Sequence, residues 1–149
     1  KFLKTIYANW YAIYCATPLV GTEMFDICLE NNYLKGSYIG CDYKKAIIET
    51  EDFNAEYIEE KSYSLNLEFN FVENSDIRLE NYETALKGFE NTIMIRKDHA
   101  FAYYFAAKCC KMLRLDEKYI FYKGKYQEIM EESAFWRDHA NHFNLVALE

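Results

Sequence analysis

The stretch NYETALKGFENTIMIRKDHAFAYYFAAKC, residues 81–109, decides the fold class of this sequence. It contains most of two amphipathic helices, which we predict at residues 81–95 and 98–113. Each helix opens on Asn or Asp, residues that commonly cap helix N-termini. The connection between them is two residues long, and short connections favour antiparallel neighbours. The stretch therefore predicts an antiparallel helical hairpin.

The helical pattern continues on both sides of this hairpin. We predict two further helices at residues 116–130 and 133–148, opened by Asp and Ser. Upstream, Asn54 is a candidate N-cap for a long helix, with Phe53 and Ile58 in the N′ and N4 positions of a hydrophobic staple. Residues 65–71 alternate in polarity and would also suit a strand, but the wider apolar spacing favours the helix. The fold class predicted from residue 53 onward is therefore mainly α.

The hairpin resembles a tetratricopeptide repeat, a helical hairpin of 34 residues. Ala85 fits the small position where the two helices approach closely, and Phe89 fits the large position four residues later. Tyr103 fits the bulky opening position of the next unit. The register weakens after residue 110, because Tyr119 replaces a small residue and Lys123 an aromatic one. The last helix, with Trp136, would then cap the stack.

A tetratricopeptide-like domain is expected to bind something in its concave groove. The resemblance places Phe101, Tyr104, Phe105 and Lys108 on that face. A receptor for a peptide's terminal carboxylate is disfavoured, since aromatic rings cannot pair with a desolvated charge. Two occupants stay open: another part of the same parent chain, or a peptide of a protein partner.

The N-terminal part predicts a different local structure. Residues 10–15 form a short apolar run bounded by Pro18 and Gly21, typical of a buried strand. Thr22 is a candidate N-cap for a helix ending near residues 31–32. Residues 33–50 are irregular, with one candidate strand at 45–50 whose partner the sequence does not indicate. We expect a strand-turn-helix unit before the helical domain.

A second resemblance covers most of the chain. Its segments are ATPLVGTEMF (16–25), TEDF (50–53), NLEFNF (66–71), NYETAL (81–86) and DHAFAYY (98–104). In this order they are similar to the C-terminal part of radical S-adenosylmethionine proteins of the cobalamin-binding-domain group. The resemblance implies that residues 1–52 are the end of an α/β barrel and that residues 53–149 are the tetratricopeptide-like domain.

The family resemblance also implies cofactors for a parent enzyme. These are a four-iron four-sulfur cluster and S-adenosylmethionine, while cobalamin binding stays open. The CxxxCxxC motif that holds the cluster is absent here, and the chain begins without Met, so we expect a C-terminal fragment that is inactive alone. By the resemblance, Ile13, Tyr14, Ala16 and Thr17 would border the pocket for S-adenosylmethionine in the parent.

Composition excludes several classes of protein. A net charge of −7 gives no basic field for nucleic acid. One Pro and five Gly are few for an all-β protein, and 51% hydrophobic residues exclude disorder. Five cysteines without a CxxC pair favour reduced thiols in the cytoplasm. The uncharged run at residues 5–22 is interrupted by Asn9, Pro18 and Gly21, so we expect no membrane span.

Neither a catalytic cluster nor a metal site is expected in this chain. His139 and His142 could face one side of a helix, but no third donor is identifiable beside them. We therefore expect a non-catalytic interaction module of a radical S-adenosylmethionine enzyme. The alternative is a free-standing tetratricopeptide-like adaptor. A cut barrel strand would expose its edge, so two outcomes stay open: a homodimer through residues 7–16, or docking of this segment on the helical domain.

Overall fold

The computed structural model describes residues 2–39 and 42–148 and divides into two compact units. The helical unit comprises residues 1–11 and 67–149, and the small unit comprises residues 12–66. The protein is mainly helical, as predicted, and its described residues form no β-strand. In chain order the α-helices are α1 (Glu23–Glu30), α2 (Ala55–Leu67), α3 (Ser75–Arg78), α4 (Tyr82–Ile95), α5 (Ala100–Met112), α6 (Asp116–Glu132) and α7 (Ala134–His142).

The two units do not coincide with the predicted domains. We expected a boundary between residues 52 and 53, but α2 lies in the small unit up to residue 66. Residues 1–11, expected in the barrel remnant, belong to the helical unit. A 3₁₀ turn at Phe2–Thr5 begins the helical unit, and a π-helical turn at Glu68–Val72 follows α2 directly.

In the helical unit, one asparagine side chain replaces a strand partner for the N-terminal segment. The backbone N–H of Tyr11 donates to Oδ1 of Asn70 at 2.7 Å, and Nδ2 of Asn70 donates to the Tyr11 carbonyl at 2.8 Å. The buried amide thereby satisfies both backbone groups of one residue. Asn70 is itself fixed from the next turn, because Asn74 Nδ2 donates to its carbonyl.

A second polar group holds the same segment beside α3. Asp76 is almost completely buried, and its two oxygens accept from Tyr7 Oη at 2.8 Å and from Asn9 Nδ2 at 3.2 Å. The Tyr11 hydroxyl donates to the carbonyl of Ile6 and lies 3.2 Å from Ser75 Oγ. Buried polar groups are costly unless paired, so these partners explain how a carboxylate is tolerated there.

The small unit uses the same kind of contact. Asn66 on α2 accepts from the Ile13 N–H at 3.2 Å and donates to the Ile13 carbonyl at 2.7 Å. Ser62, one turn earlier, donates to the same carbonyl. The Cys15 N–H donates to the carbonyl of Tyr43. Side chains and a loop carbonyl therefore take the place of neighbouring strands.

The prediction of a strand at residues 10–15 is wrong for this reason. The apolar run is present and Tyr11 and Cys15 are buried, but the backbone pairs with asparagine side chains rather than with a sheet. The candidate strand at residues 45–50 is reduced to one antiparallel bridge between Leu34 and Ile48. The exposed barrel edge that we expected is therefore not formed at Tyr11 and Ile13.

The predicted caps Thr22, Asn54 and Ser133 are confirmed. At α5 the cap is His99 rather than Asp98, and Asn81 makes no side-chain cap bond at α4. Thr22 Oγ1 accepts from the Phe25 N–H at 3.3 Å, and Asn54 Oδ1 accepts from the Tyr57 N–H at 2.8 Å. Residues 65–71 are helical, so the strand alternative for them is excluded. The helices predicted at 81–95, 98–113 and 116–130 match α4, α5 and α6 within two residues.

The last helix ends earlier than predicted, at His142 rather than at residue 148. Asn144 adopts a positive φ of 51°, and the Leu145 N–H donates to the Ala140 carbonyl at 2.9 Å. This is the Schellman arrangement, in which a left-handed residue ends the helix and reverses the chain. Residues 143–148, which we call the covering segment, consequently leave the helix axis.

The core of the helical unit centres on α5, which packs against α4 and α6. Nearly every residue of α5 is buried, and its small side chains Ala106 and Ala107 are fully inaccessible. Ala85 on α4 is 2% exposed and Phe89 is fully buried. A small residue at such a site lets two helices approach closely, which the register predicted for Ala85.

We therefore expect Ala85→Leu to overpack this site and lower the free energy of unfolding by about 1–3 kcal/mol. Chemical denaturation followed by circular dichroism would measure the change. The matched control is Thr84→Leu, which adds a Leu at an exposed position of the same helix. Equal stability of the two variants would contradict a close approach at Ala85.

Candidate functional site

The four residues expected near S-adenosylmethionine all lie in the small unit and differ in their exposure. Ile13 is half-buried and held through its backbone, whereas Tyr14 and Ala16 are exposed. The Thr17 hydroxyl is buried without a hydrogen-bond partner in the described residues. An unpaired buried hydroxyl costs about 1–3 kcal/mol. Thr17 is thus the member of this set whose buried polar group has no partner among the described residues.

The cysteines offer no cluster site among the described residues. Cys15, Cys28, Cys109 and Cys110 are all free and buried, and Cys41 lies outside the described residues. Burial raises the pKa of the Cys109 thiol to about 12, with Cys110 adding to the effect. A thiol with so high a pKa is a poor nucleophile and a poor metal ligand. Cys109 is therefore a core thiol.

The predicted groove residues of α5 are part of the core. Phe101, Tyr104 and Phe105 are at most 3% exposed, and only Lys108 reaches solvent. The Lys108 ammonium lies 5.7 Å from the centre of the Tyr104 ring and 5.6 Å from that of Phe105, in cation–π range. The three aromatic side chains are therefore buried inside the helical unit, and a partner groove formed by them stays a prediction.

The cause of this burial is the C-terminal part of the helical unit. The Phe101 ring packs against Trp136 on α7 at 5.7 Å and against Phe143 at 5.8 Å. Tyr104 Oη donates to the Val146 carbonyl at 3.0 Å. Burial raises the pKa of Tyr104, and this hydrogen bond offsets part of the shift. This face of α5 is therefore covered by other residues of the chain itself.

The small unit exposes an apolar surface that we did not predict. On α1, Phe25 and Cys28 are buried, while Met24, Ile27 and Leu29 are 39%, 46% and 50% exposed. At about 100° per residue, the exposed residues flank the buried pair on both sides. The apolar arc of α1 is therefore much wider than the part that the small unit covers.

Two further exposed apolar residues directly precede the N-cap turn of this helix. Leu19 is 57% exposed and Val20 is 72% exposed, and Gly21 with a φ of +85° turns the chain into the Thr22 cap. Contiguous exposed apolar residues mark interaction sites more often than single ones. We call residues 19, 20, 24, 27 and 29 the α1 surface. The sequence signal for it was the width of the apolar stripe, which exceeds one helix face.

The half-buried Glu90 carboxylate of the helical unit has a structural role. Glu90 Oε1 accepts from Tyr122 Oη and from Lys118 Nζ, each at 2.8 Å. Burial alone would raise the pKa of Glu90, but the two hydrogen bonds outweigh it and bring that pKa below its usual value. Burial and the Glu90 carboxylate raise the pKa of Tyr122. The cluster joins α4 to α6, and its carboxylate is already engaged by two hydrogen bonds.

The two histidines of α7 each contact a neighbouring aromatic residue. His139 Nδ1 lies 2.9 Å from the Phe135 carbonyl, and its ring packs on that residue's ring. His142 packs edge-on against Phe143. In residues 2–39 and 42–148, no three His, Cys, Asp or Glu side chains converge so that they could hold a metal ion. Nor is any helix of these residues both long and apolar enough to cross a membrane.

No protein-family model matches the chain, and neither a curated protein nor a solved structure does so. The two family resemblances therefore stay predictions. The α1 surface and the covered face of α5 are the features from which a function can be argued.

The pKa of His99, in the helical unit, is strongly lowered by its surroundings. It caps α5, where Nδ1 accepts from the Ala102 N–H at 3.2 Å. Its ring lies between Phe71 at 4.8 Å and Trp136 at 4.7 Å. Burial, followed by the nearby Arg96, lowers the pKa of His99 from 6.5 to about 4.

This shift predicts a pH-dependent stability. Between pH 4 and 6.5 the unfolded chain binds a proton that folded His99 does not, so the free energy of unfolding rises with pH in that window. The expected gain is about 3 kcal/mol, and it is complete above pH 6.5. His99→Asn keeps a residue that can cap α5 but should remove this rise of the free energy of unfolding with pH. His142→Asn, at an exposed site, should leave the rise unchanged. Equal slopes in both variants, measured by denaturation at each pH, would contradict the assignment.

Proposed function

We propose that this chain is a non-catalytic accessory module of a radical S-adenosylmethionine enzyme of the cobalamin-binding-domain group. In this proposal the small unit, through its α1 surface, packs against the preceding barrel of the parent enzyme. The helical unit is a tetratricopeptide-like domain. The parent supplies the cluster and binds S-adenosylmethionine, while this chain contributes packing surface.

The α1 surface is the observation that carries this proposal. A helix that buries only Phe25 and Cys28 leaves apolar side chains exposed on both sides of them. In an α/β barrel, helices of this kind are covered by the sheet and by neighbouring helices. Exposed Ile27 and Val20 are therefore expected to meet other parts of such a domain.

The chemistry of the chain agrees with a non-catalytic role. Its sequence lacks CxxxCxxC, and its described cysteines are buried thiols. The Glu90 carboxylate, which could have served as a base, accepts two hydrogen bonds and has a lowered pKa. The unpaired Thr17 hydroxyl could border the adenine of the cosubstrate once the barrel is complete.

The alternative is a free-standing adaptor that binds a protein partner through the aromatic face of α5. It is less well supported, because Phe101, Tyr104 and Phe105 are covered by α7 and the covering segment. An adaptor needs its binding residues accessible. The α1 surface, in contrast, is accessible.

The gene sequence upstream of Lys1 tests the proposal directly. We expect the reading frame to continue upstream and to encode a CxxxCxxC motif. An in-frame start codon immediately before Lys1, without that motif, would contradict the proposal.

The docking itself can be tested with the upstream barrel expressed as a separate chain. We expect this chain to bind it and Ile27→Asp to weaken binding at least tenfold, because a buried unpaired carboxylate is costly. The matched control is Met94→Asp, the same kind of change at an exposed residue of α4. Equal losses in both variants, or none in Ile27→Asp, would argue against the α1 surface. Dimerisation of this chain that Ile27→Asp abolishes would assign the surface to a second copy.

A further inference from the structure

In the small unit, the backbone of residues 12–16 is hydrogen-bonded along one side. Asn66 pairs with both the N–H and the carbonyl of Ile13. Two residues later, the N–H of Cys15 donates to the Tyr43 carbonyl at 2.9 Å. In an extended chain, the backbone groups of residues i and i+2 point to the same side. The residues between them therefore direct their N–H and carbonyl groups to the opposite side.

That opposite side makes no hydrogen bond within the part of the chain that the structure describes. The backbone groups of Ala12, Tyr14 and Ala16 have no partner there, and all three residues are exposed. They offer a row of N–H donors and carbonyl acceptors, as the edge of a sheet does. We call residues 12, 14 and 16 the free edge.

The free edge lacks the features that usually keep an exposed edge from pairing. Native proteins protect such edges with charged side chains, with proline or with a covering segment. Residues 5–17 contain neither a charged residue nor a proline, and Pro18 comes only after the edge has ended. The free edge is therefore a template for a second extended backbone.

The side chains of the free edge lie on the outer face of the small unit. Cys15 is buried and Ile13 is half-buried, whereas the side chains between them are exposed, which is the alternation of an extended chain. Tyr14 is 61% exposed, and its ring lies 6.0 Å from that of Tyr43, which is 58% exposed. These two rings give the free edge an aromatic outer face.

The free edge is complementary to itself. When two copies pair antiparallel about Tyr14, that residue faces Tyr14 of the second copy, and Ala12 faces Ala16. Each of these three facing pairs can exchange two N–H···O bonds, which satisfies every backbone group of both edges. The alanines leave room for the two backbones to approach. The two Tyr14 rings become cross-strand neighbours, a contact that stabilises antiparallel pairs.

We propose that the free edge pairs with the same edge of a second copy, so that the protein forms a two-fold dimer through a short antiparallel ribbon centred on Tyr14. Only an extended backbone supplies donors and acceptors at this spacing, and the second copy matches them about a two-fold axis, the commonest symmetry of homo-oligomers. The dimer concerns the small unit alone. It does not depend on docking to a barrel through the α1 surface.

Sedimentation equilibrium of the full chain tests the dimer. So short a ribbon buries little surface, so we expect a weak dimer with a dissociation constant in the micromolar range. Tyr14→Lys and Tyr14→Glu should each weaken dimerisation at least tenfold, because like charges directly opposite one another destabilise an antiparallel pair. An equimolar mixture of the two variants should restore dimerisation, since opposite charges then face each other.

The matched controls are Tyr57→Lys and Tyr57→Glu, which make the same changes at an exposed residue of α2 and should leave dimerisation unchanged. Ala16→Pro removes an N–H from the free edge and should also weaken the dimer at least tenfold. Glu23→Pro is its control, because proline is tolerated at the first residue of a helix. Ile27→Asp should leave the dimer intact, which separates the free edge from the α1 surface.

Several results would overturn the proposal. One is a full chain that stays monomeric at its highest soluble concentration. Another is dimerisation of Tyr14→Lys or Tyr14→Glu, each checked for folding by circular dichroism, as strong as that of the unchanged chain. A mixture of the two variants that does not restore the dimer would contradict the pairing of Tyr14 with its own copy. A monomeric chain whose binding to the separately expressed upstream barrel is weakened by Ala16→Pro would assign the free edge to a strand of that barrel.

Discussion

The hydrogen bonds between the Asn70 side chain and the Tyr11 backbone are the contact on which the helical unit depends. They satisfy a buried N–H and a buried carbonyl at once. A residue outside any sheet would otherwise leave both groups unpaired in the core. Because Tyr11 is held there, its hydroxyl reaches Ser75, and the preceding residues Tyr7 and Asn9 reach buried Asp76. One amide thereby fixes a segment that has no regular secondary structure of its own.

The helices were predictable because their signals are local. Caps at Thr22 and Asn54, and the apolar periodicity of residues 81–130, depend on neighbours a few residues away. The local structure of residues 10–15 was not predictable in this way. Their apolar run is typical of a strand, but its partner is a side chain 59 residues away in sequence. The early end of α7 depends on Asn144 adopting a positive φ, for which Asn is only one of several candidates.

Because local signals do not show distant partners, the surroundings of the candidate sites were also not predictable. Residue types placed Phe101, Tyr104 and Phe105 on one face of α5, but a periodic pattern cannot say what lies on that face. Once α7 ends at His142, the chain is free to turn back and cover Tyr104. The α1 surface was present in the sequence as a stripe wider than one helix face. Its exposure became apparent only when the small unit buried no more than Phe25 and Cys28 of that helix.

The most direct test of this account is hydrogen exchange at the Tyr11 amide, measured by NMR in the wild-type chain and in Asn70→Ala. The account predicts strong protection in the wild type and its loss in Asn70→Ala, while the amides of α5 remain protected. Asn91→Ala, at an exposed position of α4, should leave Tyr11 protected. Unchanged protection of Tyr11 in Asn70→Ala would contradict the claim that this side chain holds the N-terminal segment.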